Sequence, residues 1–406
     1  MQLRLLNFYR IIATFATSIL GAFIALIIYQ STQSFSWAFA YLAVCQIVKM
    51  LLHKVLNKFC QKRPQLMLLL RTFPVLFYSL SLLLLDTNVK ILGILLITIF
   101  ESLSDVMGTI SVDYIFSYNS TGKPATSTGF SRLMEISGTV IAILVGGILL
   151  DNIDKWIIIM LACTVYLMSV IPLCVYAFKN RFSTSFNKES TSNATESYNT
   201  NDLKRHQHKY ISKTILSRYF SIYTLECFFD AIMVLVSLYL FKENAEVYSY
   251  VSYIQVSFYA LYGIGGMVAG FFDQKKDLTI FVVFSCIICG ACAIISPFAI
   301  KSIVGEIFIY GIMGFFLSFI SMFLYSRMMT RCKILGVSNI ALTNRMQSSR
   351  LSRSIVSAIC IPGTFMFIPA FFAIGIASIL CSYAIPTNEE VVRKYLVDYL
   401  QNNGMY

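Results

Sequence analysis

Residues 179–213, "KNRFSTSFNKESTSNATESYNTNDLKRHQHKYISK", form the one long polar segment in a chain of 406 residues. The segment is rich in Ser, Thr, Asn and Lys and reads as a flexible linker. His206 and His208 lie in it, and a solvated basic stretch explains them better than a metal site. On either side the chain is a series of apolar runs. Upstream they fall near 8–29, 36–53, 66–85, 90–117, 132–150 and 155–178. Downstream they fall near 214–241, 247–272, 278–299, 302–326, 348–364 and 366–385. Each is close to the roughly 20 residues a membrane-spanning helix needs. The reading is therefore an all-α membrane protein with twelve transmembrane helices in two pseudo-symmetric six-helix bundles. Residues 1–178 form the first bundle, 179–213 a cytoplasmic linker, 214–385 the second bundle and 386–406 a cytoplasmic tail. The tail, "PTNEEVVRKYLVDYLQNNGMY", begins with a helix stop and continues as a short amphipathic helix on the inner surface.

Composition agrees. Hydrophobic residues make up 57% of the chain and charged residues 13%, about half the charged share of a soluble domain. An ordinary soluble enzyme, a disordered chain and a nucleic-acid-binding module are thereby excluded. The net charge of +12 does not reverse this, because the basic residues are scattered between apolar runs. Eleven cysteines sit mostly alone inside those runs, so no zinc site is expected. There is no Gly-x-x-x-x-Gly-Lys phosphate loop and no nucleophile–base arrangement, so the chain does not read as an enzyme. The N-terminal run is too long for a signal-peptide core and reads as an uncleaved first span.

Lysine and arginine set the orientation. With both termini in the cytoplasm, only Lys90, Lys155, Lys242 and Lys301 of the 32 basic residues fall in outer loops. Basic residues concentrate in cytoplasmic loops, so this bias fixes an even number of spans. The two halves also look related. "NFYRIIATFATSILGAFIALIIYQ" from residue 7 aligns with "RYFSIYTLECFFDAIMVLVSLYLF" from residue 218, and "RLMEISGTVIAILVGG" from Arg132 with "RMQSSRLSRSIVSAICIPG" from Arg345. The offsets are 211 and 213, which sets span one against seven and five against eleven.

Twelve spans, a central linker and repeated halves resemble the major facilitator superfamily. That family carries Gly-x-x-x-Asp-Arg-x-Gly-Arg-Lys between spans two and three. Here the matching stretch is "HKVLNKFCQKR", with Asn57 in place of the acid, Lys58 in place of Arg, and His53 and Cys60 in place of the glycines. "GGMVAGFFDQKK", with Asp273 and Lys275, looks like a shortened second copy. The fifth span holds Gly138 and the Gly146–Gly147 pair of the family's antiporter motif without its proline. The opening "MQLRLLNFYRIIATF", the worn loop and the length are also similar to permeases that export microcin C-type peptide–nucleotide antibiotics. The resemblance implies alternating access, a cavity lined by spans one, four, seven and ten, and no cofactor beyond a proton gradient.

Ionisable residues inside a span are costly and point to function. Glu101 and Asp105 lie four apart in span four, and Glu226 and Asp230 four apart in span seven, so each pair shares a helix face. Asp113 lies nearer the inner surface. If both pairs face the cavity, they can trade protons for cargo and attract positive substrate groups. The competing reading is permanent ion pairs with Arg10, Lys49 or Arg71. Arg132 and Glu135 begin span five, and Arg345, Arg350 and Arg353 begin span eleven. Their mirrored placement, with Asn57, Lys58 and Asp273, suggests an inner gate, or else ordinary anchoring. Glu306 reads as a solvated residue near the outer face, and Pro172 and Pro362–Gly363 as kinks.

The resulting expectation is a proton-coupled secondary transporter of the inner membrane, most simply an exporter of a cationic or amphiphilic compound such as a drug or peptide antibiotic. The alternative is an uptake symporter for a small metabolite. A further reading is a membrane receptor or assembly protein that moves nothing. Expected partners are a small-molecule or peptide substrate and the bilayer, with no nucleic acid and a monomeric state.

Overall fold

In lipid every backbone polar group must be satisfied within the protein, so long apolar runs become helices. The computed structural model describes the backbone of residues 2–119, 124–180, 202–244, 246–272, 279–299, 302–335 and 337–402. Within these ranges the side chains at 113, 116–134, 202–210 and 229–232, among others, lie outside the described residues.

Among the described residues, twelve helical segments follow in order and are numbered as spans. The first is broken into Gln2–Gly21 and Ile24–Thr32. The second is Phe35–Lys62. The third comprises Pro64–Leu70, Thr72–Ser81 and a 3-10 turn at Leu82–Asp86. Spans four to six are Lys90–Asn119, Pro124–Asn152 and Lys155–Asn180. Spans seven to nine are Asp202–Glu243, Tyr248–Phe272 and Thr279–Ala299. The tenth is Ile303–Ile334, the eleventh Ser338–Cys360 and the twelfth Phe367–Asn402. Among the described residues, ten helices are long and apolar enough to cross a membrane. The seventh and the eleventh are not among them; the eleventh carries Arg and Ser residues that turn inward. Ser348, Ser352 and Arg350 are buried while Ile340, Ile355 and Ile359 face out. Large apolar side chains such as Phe308, Phe365 and Ile280 are likewise exposed around the outside, as a lipid-facing surface requires.

The contacts repeat between halves. Span one packs on five and six, two on four, and three on four and six. Seven packs on eleven and twelve, eight on ten, and nine on ten and twelve. The halves meet where span two packs on eleven and five on eight. The glycine pair in span five serves this packing. A Cβ at Gly146 would strike the Ile19 carbonyl of span one, and one at Gly147 would strike Ser252 of span eight.

Several boundaries differ from the sequence reading. Residues 202–213, assigned to the linker, form the first turns of the seventh helix; residues 181–201 lie outside the described residues. "HKVLNKFCQKR" is not a loop but the end of the second helix, since nothing breaks it before Pro64 starts the next. The eleventh helix starts about ten residues earlier than expected, because its charged start is buried protein and not connection. Pro362–Gly363 therefore ends that span instead of kinking it, with Gly363 at φ +134°. Pro386 does not stop the twelfth helix, which runs on to Asn402. Thr387 and Asn388 hydrogen-bond the Tyr383 and Ala384 carbonyls around the proline.

Candidate functional site

A cavity of about 450 Å³ lies between the halves. Spans one to five contribute Thr17, Tyr41, Arg71, Tyr78, Glu101, Ser104, Asp105 and Thr139 among others; spans seven, eight and eleven contribute Met233, Ser237, Leu238, Gln255, Tyr259 and Arg353. Among the described residues, the tenth span contributes nothing to this wall, contrary to the expected one-four-seven-ten lining.

Its charged wall is built by two helix stripes. Tyr41, Cys45, Lys49 and His53 recur every four residues along span two and so share one face. Glu101 of span four accepts hydrogen bonds from three of them: Tyr41 Oη at 2.6 Å, Cys45 Sγ at 2.9 Å and Lys49 Nζ at 2.8 Å. Lys49 Nζ also lies 3.7 Å from Asp105. Arg350 reaches over from the other half. Its guanidinium donates to the Lys49 carbonyl at 2.9 Å, lies 3.1 Å from His53 Nδ1 and stands 3.7 Å from Asp105 Oδ2. The acids are not sealed away, since the Asp105 side chain keeps 44% of its exposure and Glu101 22%, both toward the cavity.

The competing bases named from sequence separate cleanly. Lys49 takes the acids. Arg10 pairs instead with Glu135, joining spans one and five within the same half. Arg71 donates to Ser104 Oγ at 3.2 Å.

The second acidic pair is placed differently. Glu226 is buried and does not line the cavity; its neighbour Cys227 holds Sγ 3.8 Å from Glu226 Oε2. Arg345 lies over the rings of Tyr223 and Tyr325 at 5.3 and 4.9 Å and donates to Ser321 Oγ at 3.0 Å. These contacts lie within the second half, and the Arg10–Glu135 pair lies within the first. Asn57 accepts from Gln61 within its own helix at 2.9 Å, and Lys58 is exposed. The side chains of Asp113, Arg132 and Asp230, and all of Asp273, lie outside the described residues. Glu306, read as solvated, is fully buried beside Ser296 at 3.5 Å.

A gate-like contact appears at the end poor in basic residues, where sequence reading did not look. Asp151, ending span five, accepts the backbone N–H groups of Tyr248 and Ser249 at 2.8 and 2.9 Å. It thus caps the start of a helix in the opposite half. Tyr248 donates to Gln30 at 2.7 Å, Ser36 donates to the Ile361 carbonyl at 2.8 Å, and Phe35 packs edge-on against Phe367. These contacts join the two halves at that end.

Two halves with repeated packing, joined at spans two–eleven and five–eight around a central cavity, define the major facilitator fold of multi-pass membrane proteins. No family model matches the chain, and no curated protein matches it. Among solved structures it is similar to a bacterial homologue of the iron transporter ferroportin in its inward-facing state, with a TM-score of 0.66 at 12% identity over 93% of this chain and 98% of that one. A bacterial metal transporter matches with a TM-score of 0.66 at 12% identity, over 95% and 98% of the two chains. The outward-facing state of a bacterial ferroportin homologue gives 0.64 at 13%, over 96% and 100%.

Proposed function

We propose that the chain is a proton-coupled secondary transporter that exports a charged, amphiphilic compound by alternating access. The observation that carries this reading is the Glu101–Asp105–Lys49 cluster, open to a cavity between the halves and touched by Arg350 from the facing half. A proton on Asp105 removes its attraction for Arg350 and so loosens the contact between spans two and eleven. Losing that proton restores the contact. Proton binding thereby biases a two-state element, which is what coupling requires. The export direction rests on the similarity of the opening stretch, the worn loop and the length to antibiotic-exporting permeases.

A metal cargo, suggested by the neighbours described as iron and metal transporters, fits this cavity poorly. Lys49, Arg71, Arg350 and Arg353 surround two acids that already have ammonium or guanidinium partners. No group of three or more metal-binding side chains occurs among the described residues.

The test is expression in a sensitive host against a panel of toxic compounds. Resistance that Asp105→Asn or Glu101→Gln abolishes supports the reading. Flux in inverted vesicles that ignores an imposed pH gradient sinks the coupling, and increased accumulation of the compound reverses the direction.

A further inference from the structure

We infer that the cavity binds an oxyanion group of the cargo, a carboxylate or a phosphate, through Arg71. This deepens the transporter reading and rests on the same cavity. Arg71 sits at the break between the two helical pieces of span three, on the cavity wall. Its guanidinium donates to Ser104 Oγ and stands beside the buried Tyr9 hydroxyl, and among the described residues no carboxylate comes within 4 Å of it. A guanidinium carries five donors in a planar fork suited to a carboxylate or phosphate. In a span, an uncompensated cation is costly unless something anionic meets it.

The nearby acids do not bond it, although the Asp105 charge acts on it through space. Glu101 is taken up by Tyr41, Cys45 and Lys49, and Asp105 lies between Lys49 and Arg350. The surroundings hold two more positive charges than negative ones, counting Lys49, Arg71, Arg350 and Arg353 against Glu101 and Asp105. The placement of Arg71 is also built. Its guanidinium lies flat against span four at Gly108, where any Cβ would come within 2.6 Å of Cζ. A cationic cargo, the expectation from the acids alone, would meet this excess as repulsion.

The experiment uses the full chain in lipid nanodiscs and follows thermal unfolding with benzoate, phenyl phosphate or benzylamine added. Stabilisation by benzoate or phenyl phosphate, with apparent affinity falling ~10- to 100-fold in Arg71→Gln, is expected for a lost charge-assisted hydrogen-bond pair. Which of the two anions binds identifies the group. Arg71→Lys and Gly108→Ala keep the charge but spoil or shift the fork. Both should weaken anion binding as well, so the idea stays testable if Arg71→Gln does not fold. Anion stabilisation that survives all three variants overturns the proposal, as does stabilisation by benzylamine alone or by none of the probes. Because the readout is binding and not flux, a failure here is distinct from a failure of vesicle transport.

Discussion

The two halves repeat one arrangement of spans and furnish the cavity in opposite ways. The first half places Arg71, Glu101 and Asp105 on the wall with Lys49 behind them. The second half lines the same space with Met233, Ser237, Leu238, Gln255, Tyr259 and, among the described residues, a single charge, Arg353. Its own acid, Glu226, is turned into the packing of that half. A repeated fold therefore does not imply a repeated site. The carboxylates of the cavity wall concentrate in one half, while the other contributes shape, hydrogen-bonding groups and the arginines that reach over.

The largest effect should come from removing Lys49. Lys49→Met strands two carboxylates near mid-span, and breaking such a pair costs about 3 kcal/mol or more, toward the low end here because the acids open to the cavity. A drop in unfolding temperature and loss of transport are expected. The double variant Lys49→Met with Glu101→Gln should recover most of the stability without recovering coupling. Equal destabilisation by the single and double variants would show that the pair is not what holds the wall together. Neutralising Glu226, by contrast, should leave proton coupling in place, whatever it does to stability.

Asp105→Asn tests the reach between halves. It removes the charge that faces both Lys49 and Arg350, so proton-driven flux should fall to the level of passive exchange. Flux down the cargo's own gradient should persist. A variant that still accumulates cargo against its gradient would move the coupling site elsewhere.

Asp151 sharpens the comparison at the end where it joins the two halves. Asp151→Ala removes a carboxylate cap from the start of the eighth helix, in the opposite half. The loss of one helix N-cap should shift the balance toward opening at that end by roughly fivefold. Labelling of single cysteines introduced near residues 30 and 248 would measure it. Unchanged labelling would make the cap a local matter of span eight.

The fold was legible because apolar run length and the position of a polar linker are local properties. The six-plus-six layout needed no knowledge of packing. The acids in span four were legible too, since a carboxylate in an apolar run stands out. Their partner was not. Arg10, Lys49 and Arg71 are equivalent in sequence, and only the packing of span two on span four selects Lys49. The four-residue stripe Tyr41, Cys45, Lys49, His53 was a readable signal that the apolar pattern hid. Asp151 was missed because a carboxylate beside a short connection looks solvated until the opposite helix start is placed on it. The start of span eleven was placed about ten residues late for the converse reason: the polar stretch from Ser338 reads as connection but is helix packed inside the protein.

The smallest effect concerns the uncharged wall. Gln255 donates to Ser237 at 2.8 Å, while its carbonyl oxygen is buried with no partner. An unsatisfied acceptor beside the cavity is a place for a donor group of the cargo, on the half that places no described carboxylate on the wall. Gln255→Leu should weaken cargo binding by about threefold, the worth of one neutral hydrogen bond. It should raise KM with kcat and the pH dependence unchanged, because the interaction is the same in the ground state and during translocation. The two halves would then be separable by their kinetics: charge variants in the first lose coupling, and polar variants in the second lose only affinity. A changed pH profile in Gln255→Leu would show that the division of labour drawn from the cavity wall is wrong.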